Sequence, residues 1–303
     1  MHVAVYCPLL CSLLFAAVGP RLAVRHLPPG VGMWTLSLGA GLSALASTWS
    51  LALLAGTLLD EVLPDITGRR FRDPVNDLVA ITAVALLLVG LTRLVRSGLG
   101  RVRLHRELRR SCAHSRGPVV VLADQVPHAF AVPGGGGRVV VSQGMLTALR
   151  AAERRVLFAH ERAHLREKHH WHSAAVAAAA ALNPLLIPVR AASTHLCERC
   201  ADESAAAEVG DRGLAASSLA RAALATAAAP CGSPATRRGR AAQPLPLHYH
   251  HTGISARVVA LQHGPVPGRP GLAAVLLGLA CVAMIADVDA TGDFLGLILG
   301  AVH

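Results

Sequence analysis

One stretch in the middle of the chain decides the predicted fold: Arg154-Arg155-Val156-Leu157-Phe158-Ala159-His160-Glu161-Arg162-Ala163-His164-Leu165. It is rich in residues that favour helices, and neither Gly nor Pro occurs between positions 151 and 172. The pattern predicts a helix that begins at about Ala151. Because residues four positions apart share one face of a helix, His160 and His164 can offer two imidazoles to one metal ion. Glu161 is then placed to act as general base on a metal-bound water, the arrangement of a zinc hydrolase.

This His-Glu-x-x-His motif can also arise by chance, since only three of its five positions are fixed and the chain contains 16 histidines. Three features favour the zinc site, and one of them is the set of short strands predicted beside the motif helix. Unpaired Glu and His side chains would be costly to bury in an apolar, alanine-rich helix. A suitable third ligand also follows in the sequence.

The third ligand is expected on a second helix, from about Ala191 to Val209, because catalytic zinc usually has three protein ligands and a water. Glu198 and Asp202 share one face of this helix. We expect Glu198 to bind the metal and Asp202 to accept a hydrogen bond from a ligand histidine, which fixes the ring orientation. The alternative is a solvated acidic surface. The rival third ligands are His169, His170, His172 and His195, of which His172 would share the face of His164 on a continuous helix.

The cysteines give weaker signals. Cys197 and Cys200 form a Cys-x-x-Cys pair, but no second pair and no thioredoxin-like strand accompanies it, so a structural zinc or redox site is poorly supported. The seven cysteines are odd in number and several lie in or beside apolar runs. They do not indicate a disulfide framework, and they suit a reducing compartment for the water-facing part.

Composition predicts a membrane protein with a water-facing domain. Hydrophobic residues make up 53% of the 303 residues and charged residues 16%, too apolar for an ordinary soluble protein and too charged for a bare helical membrane bundle. The net charge of +11 comes almost entirely from arginine. Aromatic content is 3% and no nucleic-acid-binding motif occurs, so direct binding to nucleic acid is not expected.

Hydropathy divides the chain into three parts. Residues 1–97 are predicted to form three transmembrane helices, residues 98–262 a water-facing domain, and residues 263–303 a last transmembrane helix with a short acidic tail. Within the central part, 173–189 is interpreted as a membrane-dipping or core-packed helical hairpin, and 226–247 as a loop. Six arginines follow the third span, and because basic loops face the cytoplasm, we expect the N-terminus outside and the central domain on the cytoplasmic side of the cell membrane, in a multi-pass protein.

Short strands are predicted before the motif helix, at Val119–Leu122, Ala129–Val132 and Val139–Val141, with a turn at Gly134–Gly137. The fold class is therefore α+β and mainly α, with multi-span membrane helices around a domain that contains a small sheet. The cluster His248–His251 is interpreted as an exposed polar loop in preference to a metal site.

Four segments follow one another over about residues 118–262: Val126-Pro127-His128-Ala129-Phe130-Ala131-Val132-Pro133, Val139-Val140-Val141-Ser142-Gln143-Gly144-Met145-Leu146, Glu153 with Val156 to His164, and Glu198-Arg199-Cys200-Ala201-Asp202. Their order resembles the membrane zinc endopeptidases, which include HtpX-like quality-control proteases, CAAX prenyl proteases and beta-lactam sensor-transducer peptidases. The resemblance implies a gluzincin-like zinc protease domain at 98–262, with one Zn²⁺ per chain. It implies ligand roles for His160, His164 and Glu198 and a catalytic-base role for Glu161. The Leu182-Asn183-Pro184-Leu185 segment and the spacing from His164 to Glu198 are most similar to the sensor-transducer branch.

These residues predict an integral-membrane zinc metalloendopeptidase that hydrolyses peptide bonds of a protein or peptide substrate. We expect an extended substrate to pair with Val139, Val140 and Val141, and His128, where relatives often carry Asn, to add a polar contact. Two alternatives stay open. One is a signalling peptidase that cleaves itself or a cytoplasmic transcriptional repressor, and the other is an inactive membrane scaffold. The lipid bilayer is the remaining expected partner.

Overall fold

The computed structural model describes residues 4–58, 76–112, 117–228, 248–264 and 267–300. The fold in these residues is mainly helical with one small sheet, which confirms the predicted class. The helices are α1 (Cys7–His26), α2 (Pro29–Gly56), α3 (Asp77–Ser111), α4 (Gln143–Ala148), α5 (Ala151–Arg166), α6 (His169–Leu182), α7 (Ile187–Val209), α8 (Arg212–Ala227), α9 (His248–His263) and α10 (Pro270–Gly300). The strands are β1 (Val119–Leu122), β2 (Ala129–Val132) and β3 (Arg138–Ser142), and short 3₁₀ turns lie at Ala4–Tyr6 and Pro184–Leu186.

Four of the helices in the described part of the chain are long and apolar enough to cross a membrane: α1, α2, α3 as far as Arg110, and α10 as far as Phe294. Three of them, α1, α2 and α10, pack against one another. The phenyl ring of Phe15 is fully buried in this bundle. Gly39 makes room for it, since a Cβ at that position would lie 2.4 Å from Cζ of Phe15.

The last helix differs from its prediction. The apolar run was expected to end near Ala286, with Asp287, Asp289 and Asp293 in an acidic tail, but α10 continues through all three. Asp287 is buried, and its Oδ1 accepts a hydrogen bond of 2.9 Å from the Ser50 hydroxyl of α2. This polar partner allows the carboxylate to lie against a neighbouring helix.

The sheet has the order β1-β3-β2, with β3 parallel to β1 and antiparallel to β2. The predicted turn at Gly134–Gly137 is confirmed, and all four glycines have positive φ, between 62° and 91°.

Substrate was predicted to pair with the backbone of Val139, Val140 and Val141, and this prediction was wrong. Both edges of β3 are already hydrogen-bonded to neighbouring strands, and these three side chains are buried. In this sheet β2 is the edge strand next to α5.

The motif helix ends earlier than its composition indicates. Lys168 has a left-handed backbone, with φ of 54°, and it separates α5 from α6. His172 therefore does not share the face of His164, as a continuous helix would have required. The break instead turns the chain back, so that α6 packs against α2 and α3.

Helices α6 and α7 form a hairpin that packs into the main apolar core, and the entry of 173–189 into the membrane stays a prediction. Asn183 holds its tip: Oδ1 accepts from the Leu185 amide at 3.0 Å, and Nδ2 donates to the Ser47 hydroxyl of α2 at 2.9 Å. Near the other end of α7, a Cβ at Gly30 of α2 would lie 3.7 Å from Sγ of Cys200. The hairpin thus follows most of the length of α2.

Two loop predictions change. The cluster His248–His251 begins helix α9, so its interpretation as a loop was wrong. The predicted loop 226–247 begins inside α8, which extends to Ala227, and 229–247 lies outside the described residues. Cys231 lies outside them as well, and the six described cysteines are free thiols.

Candidate metal centre

The structure brings together the three residues expected to bind metal. Helix α5 presents His160 and His164 on one face, and α7 packs across it and adds Glu198. The two Nε2 atoms lie 3.1 Å apart. Each of them lies 3.6 Å from a different carboxylate oxygen of Glu198.

These distances fit a metal ion bound by all three side chains. Zn–N and Zn–O bonds of about 2.0–2.1 Å with tetrahedral angles place ligand atoms about 3.3 Å apart, close to the three distances found here. Two imidazole nitrogens and one carboxylate oxygen are also a donor set of catalytic zinc sites. The residues present can therefore hold a zinc ion and leave a fourth position open.

Asp202 lies one helical turn beyond Glu198, where it was expected, and its Oδ1 is 3.1 Å from Nδ1 of His160. This contact keeps the proton of His160 on Nδ1 and leaves Nε2 free to bind metal. Arg257 of α9, which the sequence analysis did not identify, holds Asp202 through two hydrogen bonds of 2.7 and 2.8 Å. Its Nη1 also lies 2.9 Å from Oε2 of Glu198.

No local pattern marks Arg257, because it follows the undescribed segment 229–247 and lies 55 positions after Asp202. The structural signal is its burial: an arginine with an exposed fraction of 8% requires carboxylate partners. Burial alone would lower the pKa of Arg257, but the carboxylates of Asp202 and Glu198 outweigh burial and raise this pKa.

The electrostatics of the centre favour positive charge. Burial lowers the pKa of His160, but the hydrogen bonds to Asp202 and Glu198 outweigh burial and raise this pKa to about 10. Burial lowers the pKa of His164 to about 3. Burial raises the pKa of Asp202, but Arg257 outweighs it and brings this pKa to about 2. A cation, either a proton or a metal ion, is therefore stabilised between the two rings and the carboxylates.

Glu161 follows His160 on α5, and its side chain is buried beside the two histidines and the carboxylates. Burial raises its pKa to about 7, and the backbone N–H of Ala131, in the edge strand β2, opposes the shift. A carboxyl group with a pKa near neutrality can both accept and release a proton at physiological pH. The contact with Ala131 also places the edge of β2 next to this carboxyl group.

The rival histidines lie elsewhere. His169 contacts the far side of His164, with 2.9 Å between their Nδ1 atoms. His172 contacts the Ser37 hydroxyl at 3.1 Å, the ring of His170 lies against Trp171, and Nδ1 of His195 faces Gly253. Among the described residues, Glu198 is the third residue that offers a ligand atom within 4.8 Å of those of both motif histidines.

The other predicted site residues take different positions. His128 precedes β2, and its Nδ1 lies 2.9 Å from the carbonyl oxygen of Val126. Its predicted contact with substrate stays a prediction. Cys197 is buried, whereas Cys200 donates to Glu167 at 2.9 Å, so the two thiols of the Cys-x-x-Cys pair have different surroundings.

Comparison with known families agrees with this geometry. Residues 102–222 match the model of peptidase family M48, a segment that contains the sheet, the motif helix α5 and the helix α7 with Glu198 and Asp202. This match confirms the resemblance to membrane zinc metallopeptidases, while the sensor-transducer branch stays a prediction. No curated protein and no solved structure shows a significant match to the chain.

Proposed function

We propose that this chain is an integral-membrane zinc metalloendopeptidase of the M48 type that binds one catalytic Zn²⁺ per chain through His160, His164 and Glu198. The observation that carries the proposal is the convergence of three side chains beside a buried glutamate: the two imidazole Nε2 atoms lie 3.1 Å apart, and each lies 3.6 Å from one carboxylate oxygen of Glu198. The family match to residues 102–222 supports a peptidase independently of this geometry.

A zinc ion held by these three side chains would polarise the scissile carbonyl and acidify a bound water. Glu161 accepts the proton of the attacking water on its carboxylate and transfers it to the nitrogen of the leaving amine. Asp202 and Arg257 hold His160 in one orientation, so the ring does not have to reorganise during the reaction.

The substrate is proposed to bind as an added strand on β2. This strand has one neighbour in the sheet, β3, so its other edge can pair with an extended peptide. The contact between the Ala131 amide and Glu161 places that edge beside the proposed catalytic base. Backbone pairing of this kind recognises unfolded or extended segments of many sequences.

The peptidase domain is proposed to lie against the cytoplasmic face of the cell membrane, with the tip of the hairpin α6–α7 inside the bilayer. Gly30 and Ser47 are 17 residues apart on α2, about 26 Å at a rise of about 1.5 Å per residue. Asn183 contacts Ser47, whereas Cys200 lies near Gly30. If α2 spans the membrane, the hairpin tip lies deep in the bilayer, and the metal centre lies at the surface of the bilayer.

The test compares full-length wild-type protein with two variants, in detergent, on a casein substrate. Glu161→Gln should keep its zinc and lose activity by about 10²- to 10⁴-fold, the usual contribution of a general base. Glu208→Gln is the matched control, because Glu208 lies on α7 in an exposed ion pair with Arg162. It should keep both zinc and activity. Retained activity in Glu161→Gln would overturn the assignment of the base, and zinc-loaded wild type without turnover would favour the inactive scaffold.

A further inference from the structure

A second cluster of ligand atoms adjoins the metal centre. Sγ of Cys200 and Nε2 of His169 lie 2.9 and 3.3 Å from the same oxygen of Glu167, Oε2. One ligand atom from each of the three residues lies within 4.8 Å of the others. The cluster touches the metal centre through His169, whose Nδ1 is 2.9 Å from Nδ1 of His164.

The imidazole of His169 has an unsatisfied atom that faces this cluster. The side chain is 3% exposed, and its Nε2 makes no hydrogen bond of acceptable geometry, although Glu167 lies close to it. A buried polar atom without a hydrogen bond destabilises the folded protein, because it has lost its contact with water. A ligand that binds Nε2 would remove this cost.

We propose that Glu167, His169 and Cys200 form a second cation site, which takes a thiophilic divalent ion such as Zn²⁺ or Cd²⁺. A set of one nitrogen, one oxygen and one sulfur suits such ions and disfavours Mg²⁺ and Ca²⁺. Glu167 and Cys200 are partly exposed, so an ion can enter and keep a water as fourth ligand. The Ser204 hydroxyl donates to Oε1 of Glu167 and leaves Oε2 available. Binding breaks the S–H bond of Cys200, and the proton passes to water.

The geometry of the rings connects the two sites. When Nε2 of His164 binds metal, its proton lies on Nδ1 and is donated to Nδ1 of His169, which places the proton of His169 on Nε2. An ion in the second site requires that same Nε2 without its proton, which must then move to Nδ1 of His169, where it faces the Nδ1–H of His164, or pass to water. Occupation of the second site therefore removes the hydrogen-bond arrangement that orients His164. We expect excess zinc to inhibit the peptidase, a consequence that rests on the proposed function, whereas the site itself does not.

The experiment loads the purified full-length protein with Co²⁺ and records the sulfur-to-cobalt charge-transfer absorption. The first site has no sulfur ligand, so this band reports only the second. Wild type should show the band and Cys200→Ser should lose it, while Cys197→Ser, which changes the buried neighbouring cysteine, should keep it. Zinc titration should give two ions bound to wild type and one to Cys200→Ser, which also shows that this variant is folded.

Absence of the band in cobalt-saturated wild type, or its persistence in Cys200→Ser, would overturn the second site. In an activity assay, Cys200→Ser should need at least about 10-fold more zinc for half-inhibition, the usual effect on metal affinity of losing one supporting group. A wild-type protein that shows the band but never cleaves casein would refute the proposed function and leave the second site standing.

Discussion

Arg257 and Asp202 form a buried, two-point ion pair, in which Nε lies 2.7 Å from Oδ2 and Nη2 lies 2.8 Å from Oδ1. The third nitrogen of the same guanidinium lies 2.9 Å from Glu198. One positive group thus fixes two carboxylates, one that orients His160 and one proposed to bind metal. A single guanidinium carries one positive charge and cannot neutralise both carboxylates. The remaining negative charge favours the binding of a cation.

We predict that Arg257→Lys lowers zinc affinity by about 10- to 100-fold, the usual effect of losing a partner of a metal ligand. A lysine has a single charged nitrogen and cannot hold Asp202 at two points while it reaches Glu198. Zinc affinity is measured by titration in metal-buffered solution. The matched control is Arg221→Lys, because the contact described for Arg221 is its ion pair with Glu153, which is not one of the three proposed metal ligands. Equal affinities in the two variants would show that Arg257 does not support the centre.

The start of the motif helix depends on Glu153. This buried side chain accepts from the Arg150 amide at 2.8 Å and from Arg221 at 2.8 Å. Burial raises its pKa, but these two partners outweigh burial and hold the pKa of Glu153 below its ordinary value. Glu153→Gln should lower the free energy of unfolding by about 1 kcal/mol at neutral pH, as the loss of a helix cap does.

The same interaction has a defined pH dependence. A carboxyl group whose pKa is lowered by folding stabilises the protein above its unfolded pKa, about 4.3 for glutamate, and this stabilisation disappears as pH falls through the folded pKa. The stability difference between wild type and Glu153→Gln should therefore shrink below about pH 4.3. Denaturant unfolding at several pH values measures it. A difference that stays constant through the acid range would contradict the role given to Glu153.

At the tip of the hairpin, Asn183 and Ser47 should be energetically coupled. Asn183→Ala removes a helix cap and the hydrogen bond to α2, so we expect a loss of about 1–2 kcal/mol. A double-mutant cycle with Ser47→Ala, followed by thermal unfolding in detergent, isolates the contact. The expected coupling is about 0.5–1.5 kcal/mol, and strictly additive effects would mean that the hairpin is not held by this pair.

Close backbone approach makes Gly144 sensitive to any side chain. A Cβ there would lie 2.0 Å from the carbonyl oxygen of Gln125, so helix α4 would have to move away from the loop before β2. Gly144→Ala should destabilise the protein by about 1–3 kcal/mol, as overpacking does. Gly100 of α3 is the control, since a Cβ there meets nothing within 4 Å. Gly100→Ala should be neutral or slightly stabilising. Similar unfolding temperatures for the two variants would refute the clash.

Local patterns predicted the elements well. The strand positions, the glycine turn and the position of α5 follow from residue preferences over a few positions, and the four long apolar helices follow from hydropathy. Errors arose where a contact distant in sequence overrides local preference. The helix break at Lys168 is an example, because no Gly or Pro marks it and α6 gains its packing against α2 and α3 only in the folded chain.

By itself, the sequence determined which side chains share a helix face. The four-residue spacings of His160 with His164 and of Glu198 with Asp202 depend only on the helical repeat, so each pair was predictable. Only the tertiary structure decided how these faces meet, which strand keeps a free edge, and that Arg257 and His169 contact residues proposed to hold or orient the metal ion. Those arrangements depend on the packing of segments that are distant in sequence, which no local repeat encodes.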